Sequence, residues 1–370
     1  MDGRMLSRFE HPCSITLVRH PASPTFPLVT LLKAWASQLI VWHHLVFYGP
    51  LSDVVHPHAS VAFDWLYEHA RIAVQVFLVV GGFLAAKTMF ALFEASGQEL
   101  SLTRLLRQRY VRLAPPYLVA VVLAVAAAAW ARAIAPNPTV PDAPTFSQLL
   151  AHALLVHDLV GIDALSAGVW YVAIDFQLFA MLSVLLWLAH RVSPQGAGTL
   201  ATAACAVLTT VSLLWFNRVA GWDALGLYFF GAYGLGILSY RASLLPQGST
   251  RQWLAITAIT LTVAAALYLQ WRSRILVAAF TALALLTWAQ SAATNGSTTR
   301  YLARISYSLF LVHYPVFLLV SSTVHHFWPI DLAANALGMV LTWALSIGVA
   351  DLLHRRVEQS MLSRRNTPLR

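Results

Sequence analysis

The chain is poor in charge and almost free of cysteine. Asp, Glu, Lys and Arg make up 11% of it, against roughly 25% in a soluble domain. That leaves no room for a large water-facing domain. Cys13 and Cys205 are far apart in sequence and belong to no motif, which excludes a disulfide framework and a cysteine-based zinc site. A P-loop, a dinucleotide fingerprint, zinc-ligand spacing and a nucleophile elbow are all missing. Serine hydrolysis finds no support, and neither a metal site nor a permanently bound cofactor is expected. The opening stretch, MDGRMLSRFEHPCSITLVRHPASP, has no apolar core leading to a small-residue cleavage site. It reads as a retained cytoplasmic tail. There is no internal repeat and no low-complexity segment.

What the chain does hold is apolar surface. It is 58% hydrophobic, with 13 Trp and 12 Tyr and a mean hydropathy of +0.66. That composition implies a multi-pass membrane protein with interfacial aromatics. Runs long enough to span a bilayer fall at 28–48, 71–90, 114–134, 169–189, 198–216, 222–239, 252–270, 274–291, 305–323 and 333–352. The expected fold is all-α, a polytopic membrane protein of about ten transmembrane helices. An N-terminal cytoplasmic tail covers 1–27, the membrane domain 28–356 and a C-terminal cytoplasmic tail 357–370. With both termini inside, eighteen Lys and Arg residues fall on the cytoplasmic side and five on the outer side, Arg71, Arg132, Arg218, Arg272 and Arg274. This asymmetry selects N-in, C-in. The net charge of +9 is the same cytoplasmic bias, so no nucleic-acid partner is expected.

Against this background, polar residues inside apolar runs carry the functional signal. A charged group inserted in a bilayer costs roughly 2.5–3.5 kcal/mol and persists mostly where it lines a cavity or does chemistry. In LVTLLKAWASQLIVWHHLVF, Lys33 and His44 are eleven residues apart. That is roughly 1100° of helix, three turns plus about 20°, so the two share one face about 16 Å apart along the axis. His43 is turned roughly 100° away. The arrangement resembles one wall of a pore, with a fixed cation near the cytoplasmic side and a titratable base near the outer side.

Further along, LTRLLRQRYVRLAPPYL places Arg104, Arg107, Arg109 and Arg112 ahead of Pro115 and Pro116. The prolines suit the start of a helix. The arginines form a basic rim that suits phosphates or anchors the chain on the cytoplasmic side, and the motif alone does not choose. Asp175 and Gln177 interrupt GVWYVAIDFQLFAMLSVLL. A carboxylate there orients a histidine, holds a substrate hydroxyl or pairs with a neighbouring helix. In RISYSLFLVHYPVFLL, Ser306 and His313 share one face, and Tyr307 and Tyr314 another. His313 lines a pore or bonds a neighbouring helix. Gly81, Gly82, Gly226, Gly231, Gly234 and Gly236 read as close-packing positions.

In order and spacing these segments resemble the integral-membrane acyltransferase family three, bacterial proteins that place acyl groups on sugars at the inner membrane. The family's arginine, ten residues, histidine pattern is matched by Lys33 to His44. Its Ser-Gly-Phe stretch is matched by VFLVVGGFL, with Gly81 at the serine. The arginines before a proline pair are matched by RQRYVRLAPPYL. WYVAIDF has Asp175 where the family carries glutamate. SYSLFLVHYP has Phe310 at the second tyrosine of the late motif, and RRVEQS holds the final Val-Glu. The resemblance implies an O-acyltransferase moving an acyl group, acetyl in the simplest case, from acyl-CoA to a hydroxyl of a carbohydrate or lipid-linked glycan. It implies His44 as general base, with Lys33 and Asp175 beside it. Arg107, Arg109 and Arg112 would hold the acyl-CoA phosphates. Trp170, Tyr171, Ser306, Tyr307 and His313 would line the acceptor path. Acyl-CoA is then a co-substrate. The rival reading is a secondary transporter, whose translocation path would also need buried ionisable groups. Symmetry between halves would favour it, and the sequence has none.

Overall fold

The computed structural model describes residues 26–95, 101–136, 140–288 and 294–360. Cys13, most of the N-terminal tail with Arg4, Arg8 and Arg19, and the tail arginines 364, 365 and 370 lie outside the described residues. Every regular element described is helical. The helices are α1 (Pro27–Phe47), α2 (Leu51–Val55), α3 (Ser60–His69), α4 (Ala73–Ala95), α5 (Leu102–Ile134), α6 (Phe146–Ala153), α7 (Val169–Val192), α8 (Ala197–Leu214), α9 (Gly226–Ser243), α10 (Thr250–Leu269), α11 (Ser273–Trp288), α12 (Ser297–Phe327) and α13 (Leu332–Leu353). A π-helical turn, His354–Glu358, continues α13.

Each of the ten apolar runs coincides with one long helix: α1, α4, α5 or one of α7 to α13. Among the described residues seven helical stretches are long and apolar enough to cross a membrane, one of them running from α3 through a short 3-10 turn into α4, Ser60 to Phe93. Helix α1 is not among the seven, although it is twenty-one residues long. Lys33, Gln38, His43 and His44 lower its hydropathy, and two of these are the residues of greatest functional interest.

Local signals explain most boundaries. Pro27 occupies the first turn of α1, where its missing N–H is no loss. Asp331 Oδ1 accepts from Ala334 N at 2.7 Å to start α13, and Ser249 Oγ accepts from Gln252 N at 3.2 Å to start α10. One expectation fails. The arginine segment is not a loop before Pro115, because α5 begins at Leu102 and runs through both prolines. Ser101 supplies an earlier cap, accepting from Arg104 N. Prolines within a membrane helix are tolerated where neighbours re-satisfy the backbone. Pro115 and Pro116 free the carbonyls of Val111 and Arg112, and beside them Tyr307 Oη donates to Leu113 O at 3.0 Å and ties α12 to α5 at that level.

Two apolar cores result. One gathers α4 and α7 to α11 around Phe83, Phe230 and Tyr233. The other gathers α5, α12 and α13 around Tyr117, Leu309 and Val312. Helix α12 is enclosed through its middle, with every residue from Ser308 to Leu318 buried. In the first core α4 and α9 cross at glycine. A Cβ on Gly82 would collide with the Tyr233 carbonyl oxygen, and one on Gly236 with the Val79 carbonyl oxygen. Small residues permit such backbone approach, and packing of this kind associates helices in lipid. The tight turns near Asn217 and Gln270 are held by Arg272, which donates to Asn217 Oδ1 at 2.7 Å, Leu213 O at 3.0 Å and Ala266 O at 3.1 Å. Between α5 and α7 the chain folds back along α5, where Tyr110 Oη donates to Ala153 O at 2.6 Å.

Candidate functional site

A cavity of about 460 Å³ opens on the seam between the two cores, lined by residues of α1, α4, α5, α7, α12 and the π-helical turn. Such seams are where ligand sites form in helical bundles. Helix α4 contributes an apolar wall of Val80, Leu84, Ala85 and Met89. The other walls carry four cations, Lys33, Arg109, Arg112 and Arg304, and two carboxylates, Asp175 and Glu358.

Each charge has a different setting. Lys33 is partly buried; among the described residues the charges that act on it are Glu358 and Arg112. Arg109 is ion-paired with Asp175 and lies over the Phe179 ring, 4.9 Å from its centroid. Tyr171, Tyr233 and Tyr307 surround that pair. Glu358 Oε2 accepts from Ser308 Oγ at 2.9 Å and from His354 Nδ1 at 2.8 Å. The π-helical turn brings Glu358 into the lining. Turns of this type recur at functional sites. Arg112 and Gln108 are exposed at the rim, with Thr88 opposite them.

At the other end the cavity meets an aromatic layer. Phe77, Tyr171 and Phe310 touch in all three pairs, with ring centroids 5.3 to 6.4 Å apart. Beyond Phe310 lies His313, 6.1 Å away ring to ring. His313 Nε2 is 2.6 Å from His44 Nδ1. His43 turns aside, its Nδ1 3.0 Å from Leu66 O of α3.

The structure therefore brings Lys33, Arg109, Arg112, Tyr171, Asp175, Ser306 and Tyr307 together in one lining. It does not bring His44 and His313 into that lining, and it pairs them with each other. Asp175 does not orient His44. Its partner is Arg109, because a carboxylate in this apolar setting is stable only when paired. Arg107 is exposed and outside the lining, as expected for one arginine of a set spread around a helix. Trp170 also lies outside and packs on Phe229 at 5.5 Å. Sequence reasoning missed Arg304, Phe310 and Glu358 as lining residues. Glu358 had a signal, an acid closing an apolar helix, but the turn that aims it inward was not legible.

A family model described as an acyltransferase domain matches residues 28–355. No curated protein and no solved structure matches the chain. The matched stretch contains every helix of the bundle and almost all of the cavity, Glu358 alone falling just beyond it. The chain belongs to acyltransferase family three, as a membrane-embedded acyltransferase built wholly of helices.

Proposed function

We propose that this acyltransferase moves an acyl group, acetyl in the simplest case, from acyl-CoA to a hydroxyl of a cell-envelope carbohydrate at the bacterial inner membrane. The observation that carries the reading is the charge of the cavity, four cations against two carboxylates on one lining. Such a surplus suits a donor that carries phosphates, and arginine forks match phosphate oxygens. Arg112 and Arg304 lie on the lining and would hold the phosphates, with Lys33 deeper in the cavity. Arg109 is committed to Asp175 and shapes the wall. The apolar face of α4 suits the pantetheine arm and the acyl group.

In the reaction, His44 takes the proton of the acceptor hydroxyl. The oxygen attacks the thioester carbonyl, and the carbon–sulfur bond breaks. CoA leaves as a thiolate and is reprotonated by the proton His44 holds. Imidazole is suited to this because its ordinary pKa, near 6.5, lets it accept and return a proton at neutral pH. No resident cofactor takes part.

The test is mass spectrometry of envelope glycans from a deletion strain. An acyl mass should disappear with the deletion and return with the wild-type chain. His44→Ala should fail to restore it, a rate loss of about 10²–10⁴-fold, while still accumulating in the membrane. His43→Ala should restore most of it. Equal tolerance of both changes overturns the base assignment, and an unchanged glycan overturns the acceptor class.

A further inference from the structure

The contact between His44 and His313 fixes where the protons sit. The two rings are 4.9 Å apart between centroids and 15° from parallel. A ring nitrogen lies about 1.1–1.2 Å from its centroid, so an in-plane bond of the observed N···N length accounts for the whole spacing. The rings thus meet edge to edge, nearly coplanar, and are not face-stacked. This is the best geometry an imidazole–imidazole hydrogen bond has.

His313 Nδ1 lies 3.2 Å from Leu309 O, one turn earlier in α12. A carbonyl oxygen only accepts, so that nitrogen carries the hydrogen. A neutral imidazole has one N–H, which leaves His313 Nε2 as a lone pair. His44 Nδ1, facing it at 2.6 Å, must then be the donor. His44 Nε2 is left bare, and it makes no hydrogen bond to any described residue. The other arrangement, a His313 imidazolium that donates from Nε2–H to a bare His44 Nδ1, would bury a positive charge with no described carboxylate beside it. Asp175 cannot serve, being tied to Arg109.

We propose that His313 is a positioning residue that holds His44 in the Nδ1–H tautomer, so that Nε2 is the nitrogen that takes the acceptor proton. It does the work that a buried carboxylate does in a hydrolase triad, but as a neutral acceptor. When Nε2 gains its proton the Nδ1–H bond becomes charge-assisted and tightens. Free neutral imidazole side chains favour the opposite tautomer, with the hydrogen on Nε2, so His44 would be silenced as a base without its partner. The proposal rests on the reading of His44 as general base, but its structural half is measurable alone.

The experiment uses the full chain in lipid nanodiscs with ¹⁵N-labelled histidine, the His44 signals being identified by their loss in His44→Ala. Wild type should show a protonated Nδ1 and a bare Nε2 at His44. In His313→Leu the hydrogen should move to Nε2. With acetyl-CoA as donor and the glycan extracted from the deletion strain as acceptor, His313→Leu should lower kcat at least about 10²-fold and leave the donor KM within about twofold. His313→Gln, whose amide oxygen can accept from Nδ1–H, should recover part of the rate. A wild-type His44 protonated on Nε2 overturns the proposal, and so does His313→Leu with full kcat. If His313→Leu fails to fold, the wild-type spectrum and His313→Gln still decide. If wild type shows the expected tautomer but transfers no acyl group, the pairing stands and the functional reading falls.

Discussion

At the scale of single residues, Arg109 and Asp175 show most directly how the site is held. Their side chains retain 21% and 11% exposure, so the pair is largely desolvated. Breaking a buried pair by removing one partner typically costs about 3–5 kcal/mol, whereas replacing both by apolar groups is often neutral. Asp175→Asn should therefore lower the thermal midpoint in detergent clearly. The double change Arg109→Met with Asp175→Leu should recover most of the loss. A single variant as stable as wild type would mean that the pair is not a structural tie. The sequence could flag Asp175 as a costly residue needing a partner, but the partner is sixty-six positions away and only the packing of α5 on α7 supplies it. The same holds for His44 and His313, which are 269 positions apart. Helical periodicity placed Lys33 and His44 on one face of α1. Nothing periodic could say that the cavity reaches the first and that a second imidazole meets the other.

At the scale of elements, glycine gives a sharper contrast. Gly81 and Gly82 are neighbours on α4, and both read from sequence as close-packing positions. A Cβ on Gly81 would meet the Tyr233 ring at 3.7 Å and Asp175 Oδ1 at 3.9 Å, ordinary contacts. A Cβ on Gly82 would collide with the backbone of α9, which no side-chain rotation relieves. Gly81→Ser should fold with stability within about 0.5 kcal/mol of wild type. Gly82→Ala should lose about 1–3 kcal/mol or more and reduce donor binding, since α4 supplies the apolar wall. Thermal melts and CoA titration of the two variants check both halves, and equal behaviour would show that the crossing can slide. A long helix such as α10 was readable because its apolar run is unbroken. The start of α5 was not, because a proline pair signals a helix start more strongly than Ser101 does. Only tertiary contacts decide that the helix passes through.

At the scale of the whole molecule, the lysine and arginine count predicts an orientation that would place the cation-lined mouth toward the cytoplasm. Gly221 and Gln247 are exposed in turns at opposite ends of α9. In a background with both native cysteines replaced, Gly221→Cys should react with an impermeant thiol reagent on intact spheroplasts. Gln247→Cys should react only after lysis. The reverse pattern would invert the orientation. The aromatic layer of Phe77, Tyr171 and Phe310 then acquires a further meaning. On the proposed function it stands between the side from which acyl-CoA would arrive and the side that would face the acceptor, so until an acceptor displaces it, it would shield an energy-rich thioester from outside water. An acyltransferase that lets water reach the bound donor dissipates it, and such leakage is invisible in any assay that counts only transferred acyl groups. Phe310→Ala thins the layer and should raise the release of free CoA from acetyl-CoA in the absence of acceptor, while transfer falls or holds. Unchanged release would show that the insulation lies elsewhere. Coupling of donor consumption to acylation is, on this view, a property of three rings rather than of the base.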